Sequence, residues 1–282
     1  MPTSPSSSAQ AAHKALAERL REIRLEAELT GKALAERAGW HRTKVSQIEH
    51  AARPPSRKDI RTWCRVCGAD DEAEDLIARL RDVQGGYVEW KRLQRTGLRR
   101  LQESAQAEFD RCRHLRAYCS QVVPGLLQTA DYTRAILRGI QRFRKLPDDV
   151  EEAVAVRTER QRVLVEGNHR FAFVIEESVL RYRIGGVEVM AGQLGHLLTV
   201  MALPSVSLAI IPFSAQRTTT PRPSFTMFDD ENVQVELPSA LVTVTAPGEL
   251  AIYAKAFEEL ARMAVTGAKA RALITSAIDA LD

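Results

Sequence analysis

The sequence predicts a two-domain protein of α and α+β class, with an all-helical bundle at the N-terminus and a mixed α/β domain behind it. Three observations carry that expectation. The 282 residues exceed one small module and suit two domains of roughly 100 to 200 residues each. Apolar residues recur at helical spacing from Ala11 to about Leu80, whereas short β-branched runs begin only at Phe171. The charge divides along the same line: residues 1–100 carry +6 and the remainder −2, within a net +4. A hydrophobic content of 45 % and a charged content of 27 % exclude wholesale disorder and collagen-like repeats. The longest apolar run, Val200 to Phe213, is broken by Pro204, Ser205, Ser207 and Pro212. It falls short of the roughly 18 apolar residues that span a bilayer, so no membrane partner is expected.

Taken in order, residues 1–12 (MPTSPSSSAQAA) read as a disordered tail. They have neither the basic start nor the apolar run of a secretory signal, so a cytoplasmic location is expected. Residues 13–83 form the helical domain. Leu16, Leu20, Ile23 and Ala27 stripe a first helix; Thr30 caps a second that carries Leu34, Ala35 and Ala38 and stops at Gly39. A short third helix fits Arg42–Glu49 with Val45 and Ile48 inward, ended by Pro54 and Pro55. Ile60 and Trp63 mark a fourth helix, and Ala73, Leu76, Ile77 and Leu80 a fifth. Residues 84–97, with Gly85, Gly86 and Gly97, read as a linker to a second domain over 98–282. There, Leu98–Tyr118 reads as one long Arg-rich helix, Thr129–Phe143 as another, and Asp148–Val165 as a third whose acidic start and basic end suit the helix dipole. Five strands follow: Phe171–Glu176, Val206–Phe213, Phe225–Asp230, Val233–Leu237 and Leu241–Thr245. A helix over about Val189–Met201 interrupts them, and one or two helices close the chain from Glu249.

The segment Lys32–Glu49, KALAERAGWHRTKVSQIE, is the most informative in the chain. A helix, a Gly-containing turn and a short helix with polar faces make the arrangement that presents the second helix to the DNA major groove. Val45 and Ile48 anchor that helix, which leaves Arg42, Thr43, Ser46 and Gln47 outward. Arg can donate two bonds to guanine, Gln can pair with adenine, and a Thr methyl can touch thymine. Lys32, Lys44, Arg53 and Arg57 are placed to neutralise phosphates, which sets affinity and register rather than sequence preference.

Elsewhere the chemistry is sparse. Cys64 and Cys67 make a C-x-x-C, but Cys112 and Cys119 have six residues between them and no His at zinc-finger spacing, so no metal site is expected. No G-x-S-x-G, P-loop, G-x-G-x-x-G or H-E-x-x-H is present, and His169 and His196 are isolated. Neither catalysis nor a cofactor is expected. The set Arg157, Arg160, Gln161, Glu176 and Arg181 lies beside apolar segments. It reads either as an internal ion-pair network that joins helix to sheet, or as a pocket for an acidic ligand or a partner's tail.

Over roughly residues 13–80 the sequence resembles the Cro/repressor-like helix-turn-helix family, also called the xenobiotic response element family. The likeness rests on Leu34 and Ala35, Ala38 and Gly39, and VSQIE from Val45 to Glu49. It implies that Arg42, Thr43, Ser46 and Gln47 read bases. One departure is that His50, Ala51 and Ala52 stand where that family often has Gly. VPGLLQT (Val123–Thr129) with Tyr132, Arg157, Arg160 and Gln161, EESVLR (Glu176–Arg181), Gly185–Gly186, and Met190–Leu197 resemble the C-terminal domain of the WhiJ-like regulators of actinobacteria. Ile211–Phe213 and Phe225 continue that likeness. These regulators are also called Scr-type antitoxin-like. The resemblance implies a repressor that pairs as a homodimer on a pseudo-palindromic double-stranded DNA site. It further implies a second domain that meets a small BldB-related cognate protein or a small-molecule ligand. The competing reading is an antitoxin-like interaction protein whose DNA binding is autoregulatory.

Overall fold

The computed structural model describes residues 7–85 and 87–281. They divide into two compact units: Met1–Val88 with Leu241–Ala251, and Glu89–Ala240 with Ile252–Asp282. The first unit is therefore discontinuous in sequence, and eleven residues expected in the second domain fold with the first.

Among the described residues up to 85, the first unit has α1 (Ser7–Glu26), α2 (Gly31–Ala38), α3 (Arg42–Glu49), α4 (Arg57–Cys67) and α5 (Ala73–Gly85). Helix α1 begins at Ser7, inside the segment expected as a tail, of which residues 1–6 lie outside the described residues. The Thr30 hydroxyl accepts from the Ala33 amide and starts α2; Gly39, at φ 67°, ends it in the left-handed conformation that a side chain disfavours. Leu16, Leu20, Leu34, Val45, Ile48, Ile60, Trp63 and Leu76 pack as one core. The indole of Trp63 donates to the Leu20 carbonyl at 2.9 Å, so the largest core side chain leaves no polar atom unpaired. The segment expected as a linker contains a short strand, β1 (Tyr87–Glu89), and a helical turn, α6 (Trp90–Leu93), with Trp90 buried; Gly86 lies outside the described residues.

In the second unit, α7 (Leu98–Arg111) stops well short of the expected Tyr118, and His114–Cys119 is strand β2. The helix start is capped from afar: Asp149 accepts from the amides of Leu98 (3.0 Å) and Arg99 (2.9 Å). The sequence places Asp148 or Asp149 at the start of its own helix instead. Strand β2 leads through α8 (Ala130–Arg144) and α9 (Val150–Glu159), then a 3₁₀ turn over Arg160–Leu164, into β3 (Arg170–Glu176). Helices α10 (Glu177–Arg181) and α11 (Val187–Val200) follow, then β4 (Val206–Ile211), β5 (Phe225–Phe228) and β6 (Asn232–Glu236). Strand β7 (Ala240–Val244), all but its first residue, and the start of α12 (Pro247–Met263) fall in the stretch that belongs to the first unit, and the rest of α12 with α13 (Gly267–Asp279) belongs to the second. Strands β6, β5, β2, β3 and β4 are neighbours in that order, with β2, β3 and β4 parallel and β5 antiparallel to both of its neighbours. A parallel pair needs a crossover, and α8 with α9, then α10 with α11, supply one each. Strand β2 sits between β3 and β5 with Leu115, Ala117, Tyr118 and Cys119 buried, which is why the Arg-spaced sequence there is strand rather than helix. Among the described residues, no helix is long and apolar enough to cross a membrane.

Candidate nucleic-acid interface

The candidate interface starts from α3, whose inward positions are apolar and whose outward ones are not. Val45 and Ile48 are 1 % and 0 % exposed, while Arg42, Thr43, Ser46 and Gln47 are all exposed. The four residues expected to face outward therefore share one solvent-facing side of a helix fixed from below.

Both ends of α3 are tied down by charge. The Arg24 guanidinium in α1 takes the Glu49 carboxylate through Nε (2.5 Å) and Nη2 (3.2 Å) and donates to the Leu29 carbonyl at 2.6 Å. Near the other end, Lys44 Nζ lies 2.5 Å from Asp59 Oδ1 in α4 and 4.2 Å from the centroid of the Trp40 ring. Asp59 also accepts from the Ser56 amide while the Ser56 hydroxyl accepts from the Asp59 amide, which closes a capping box. Burial alone would raise the Asp59 carboxyl, but the Lys44 and Ser56 hydrogen bonds outweigh it and hold the group below its ordinary range.

That pairing engages Lys44, one of the four residues expected to meet phosphate, within the protein. Its ammonium is partly buried and shared between a carboxylate and an indole, so its first role is to hold α3 on α4. Lys32 remains solvent-facing, 3.9 Å from Glu36 with both side chains more than two-thirds exposed, a pair too loose to hold it. Arg53 and Arg57 are exposed, Arg57 on the first turn of α4.

One feature of α3 was not anticipated. His41 is its N-cap: Nδ1 accepts from the Thr43 amide (3.3 Å) and lies 2.9 Å from Thr43 Oγ1, so it orients one of the four outward side chains. At the other end, the departure from glycine has a backbone consequence. Ala51 sits at φ 52°, in the left-handed region, while the amides of Ala52 and Arg53 return to the Gln47 carbonyl. An alanine there is strained where a glycine would not be.

Burial raises the Cys64 thiol to about 12 and the half-buried Cys67 to about 11. His169 Nδ1 is 2.6 Å from the Cys112 carbonyl, and burial lowers the pKa of His196.

In the second unit, the five residues expected as one cluster fall into separate networks. Arg157 donates to Gln102 Oε1 (3.2 Å) and Gln128 Oε1 (3.1 Å); Arg160 donates to the Gln102 carbonyl and Gln106 Oε1, with its guanidinium 4.8 Å from the Phe109 ring centroid. Their partners are neutral amides, carbonyls and an aromatic face, which replaces the expected ion pairs at this place. Burial, with the Arg157 charge adding, pushes Arg160 down to about 10. Gln161 donates to the Gln128 carbonyl. Gln128 in turn donates to the Val123 carbonyl (2.6 Å), and Gln193 accepts from the Thr129 amide and donates to the Leu127 carbonyl, both at 2.7 Å. VPGLLQT thus carries a 3₁₀ turn over Gly125–Leu127 and is held by side-chain amides, which bind the Val123, Leu127 and Gln128 carbonyls and the Thr129 amide. Glu176 belongs elsewhere. It takes the Tyr118 hydroxyl at 2.6 Å and both terminal nitrogens of Arg217. Arg181 pairs with Glu177 at 3.2 Å, whose other oxygen accepts from the Phe213 amide. Gln102, Tyr118 and Arg217 were missed, and Gln128, Glu177 and Gln193 lay inside the quoted motifs without a role assigned; a polar residue set among apolar ones, as in LLQT, was the available signal.

Against known families, a model described as a helix-turn-helix domain matches residues 15–77, and one described as a domain of unknown function (DUF5753) matches residues 101–276. No curated protein matches the chain. A solved structure of TrmBL2, an archaeal chromatin protein described as showing a novel mode of DNA binding, aligns with a TM-score of 0.32 at 10 % identity, over 85 % of this chain and 88 % of that one.

Proposed function

The chain belongs to the DUF5753 family and carries a helix-turn-helix domain ahead of that region, and from this premise we propose that it is a sequence-specific DNA-binding transcription regulator acting as a repressor. The observation that carries the reading is the one-sided exposure of α3: Arg42, Thr43, Ser46 and Gln47 face solvent while Val45 and Ile48 are buried. A helix entering the major groove needs a rigid back and a front of donors, acceptors and a methyl group, and α3 has both. Lys32, Arg53 and Arg57 serve phosphates, and Lys44 holds the helix in place. The reading includes a homodimer on two half-sites about one helical turn apart, hence a pseudo-palindromic operator. The second unit then provides assembly or reception of a signal, and no catalytic step is assigned to either unit.

The test is a pull-down of sheared genomic DNA by the purified full chain at near-physiological salt, sequenced beside the Arg42→Ala, Gln47→Ala double variant. Sharp enrichment that the double variant loses is the expected result, and the spacing of the enriched half-sites tests the dimer. A folded protein that enriches nothing would sink the regulator reading in favour of partner binding.

A further inference from the structure

The second unit contains a cavity of about 550 Å³, within the range of small-molecule sites. One wall is aromatic and aliphatic: Phe225 on β5, Val235 on β6, and Tyr253 and Ala256 on α12. The Phe225 and Tyr253 rings meet edge to face at 5.1 Å, and Phe225 is backed by Tyr118 at 5.8 Å, so the wall is built on packed rings. Arg222, Lys255 and Glu259 contribute the charged lining, a net charge of +1. The Arg222 side chain is bonded to the neutral Thr219 hydroxyl at 2.9 Å rather than to a carboxylate. Its backbone is anchored, since the Arg222 amide donates to the Tyr118 hydroxyl at 3.4 Å, and that hydroxyl donates to Glu176, which in turn holds Arg217.

From this juxtaposition of packed aromatic rings with Arg222 and Lys255, we propose that the cavity is a binding site for a small amphipathic organic anion, a flat apolar body bearing one acidic group. The apolar body gains by leaving water against Phe225, Val235 and Tyr253. The acidic group gains charge-assisted hydrogen bonds from the two cations, while Glu259 disfavours a second negative charge and accepts from any donor on the ligand. The site lies apart from Arg157 and Arg160, the arginines expected to form a pocket. It is also independent of the regulator reading, because it is tested without DNA.

The probe is 8-anilinonaphthalene-1-sulfonate, with N-phenyl-1-naphthylamine as the same ring framework lacking the charge, each titrated by fluorescence into the full folded chain. One saturable sulfonate site per chain is expected. The Arg222→Ala, Lys255→Ala double variant should weaken the sulfonate by about tenfold or more and leave the neutral probe within about threefold, as expected for the loss of charge-assisted bonds. Ala256→Trp, which places an indole at a lining position of the cavity against the aromatic wall, should abolish both. Should that variant misfold by circular dichroism, Ile252→Glu at the exposed lining position replaces it and should weaken the sulfonate more than the neutral probe. The proposal is overturned if the folded wild type shows no saturable sulfonate binding, or if the double variant affects the two probes alike. It is equally overturned if folded Ala256→Trp still binds, or if Ile252→Glu leaves the sulfonate unaffected.

Discussion

Removing one partner of the Arg24–Glu49 pair should destabilise the first unit severely, and removing both should cost much less. Each side chain is 9 % exposed, so solvent screens the pair little. Leaving one buried charge of such a pair unmatched costs about 3–5 kcal/mol. The lower end applies to Glu49→Leu, because Arg24 retains the Leu29 carbonyl as an acceptor. A domain of this size holds of the order of 5–10 kcal/mol in total, so about 3 kcal/mol is a large share. In the Arg24→Met, Glu49→Leu double variant no charge is stranded, and the residual cost is about 1–2 kcal/mol for the Leu29 carbonyl that loses its donor. The assay is urea unfolding at pH 7 by tryptophan fluorescence in a Trp90→Phe background, which confines the signal to Trp40 and Trp63 in the first unit. With a slope of about 1–3 kcal/mol per molar urea, a 3 kcal/mol loss lowers the midpoint by about 1–3 M. Single-variant losses that add in the double variant to within about 0.5 kcal/mol would refute the reasoning, since independent sites add and a coupled buried pair does not.

The same unfolding assay tests the exit of α3: Ala51→Gly should raise stability by about 0.5–1 kcal/mol by relieving the left-handed φ of 52°, and a loss would show that the strain is absent. Lys44→Met should lower the stability of the first unit while leaving the salt dependence of DNA affinity nearly unchanged. Arg53→Ala should do the reverse, flattening the slope of log affinity against log salt by about 0.9, and a flattening by Lys44→Met would return that residue to the phosphate set. For Glu176, burial alone would raise the carboxyl, but the bonds from Arg217 and Tyr118 more than offset it and hold it below its ordinary 4.5. A depressed folded pKa stabilises above the ordinary value and loses that contribution as pH falls through the folded one. Wild type and Glu176→Gln should therefore differ in unfolding midpoint at pH 7 and converge on acidification below 4.5; a constant difference would contradict the assignment.

Much of the first unit is legible in the sequence because its signals are local. The Thr30 cap, the Gly39 turn and the alternation of Val45 and Ile48 with polar neighbours each depend on a few consecutive residues, and all three hold in the structure. Strand β2 was illegible for the opposite reason. His114–Cys119 follows a run of arginines at helix-like spacing, and only β3 and β5 on either side make it a strand. The pairing of Lys44 was illegible because its partner Asp59 is fifteen residues away, and charge count does not tell a paired lysine from a free one.

What the amino-acid sequence by itself determined is the class of each segment: a five-helix N-terminal bundle with a polar-faced third helix, then a mixed α/β region with its strands late in the chain. Period, caps and glycine turns act within one or two helical turns and need no distant partner. What only the tertiary structure decided is which polar groups meet. Asp149 caps a helix 51 residues earlier, Arg217 reaches back 41 residues to Glu176, and Gln128 and Gln193 fasten one loop. Hydrogen bonds and ion pairs at such separations depend on chain packing, because their geometry tolerates only a few tenths of an ångström and is set by the core beneath them.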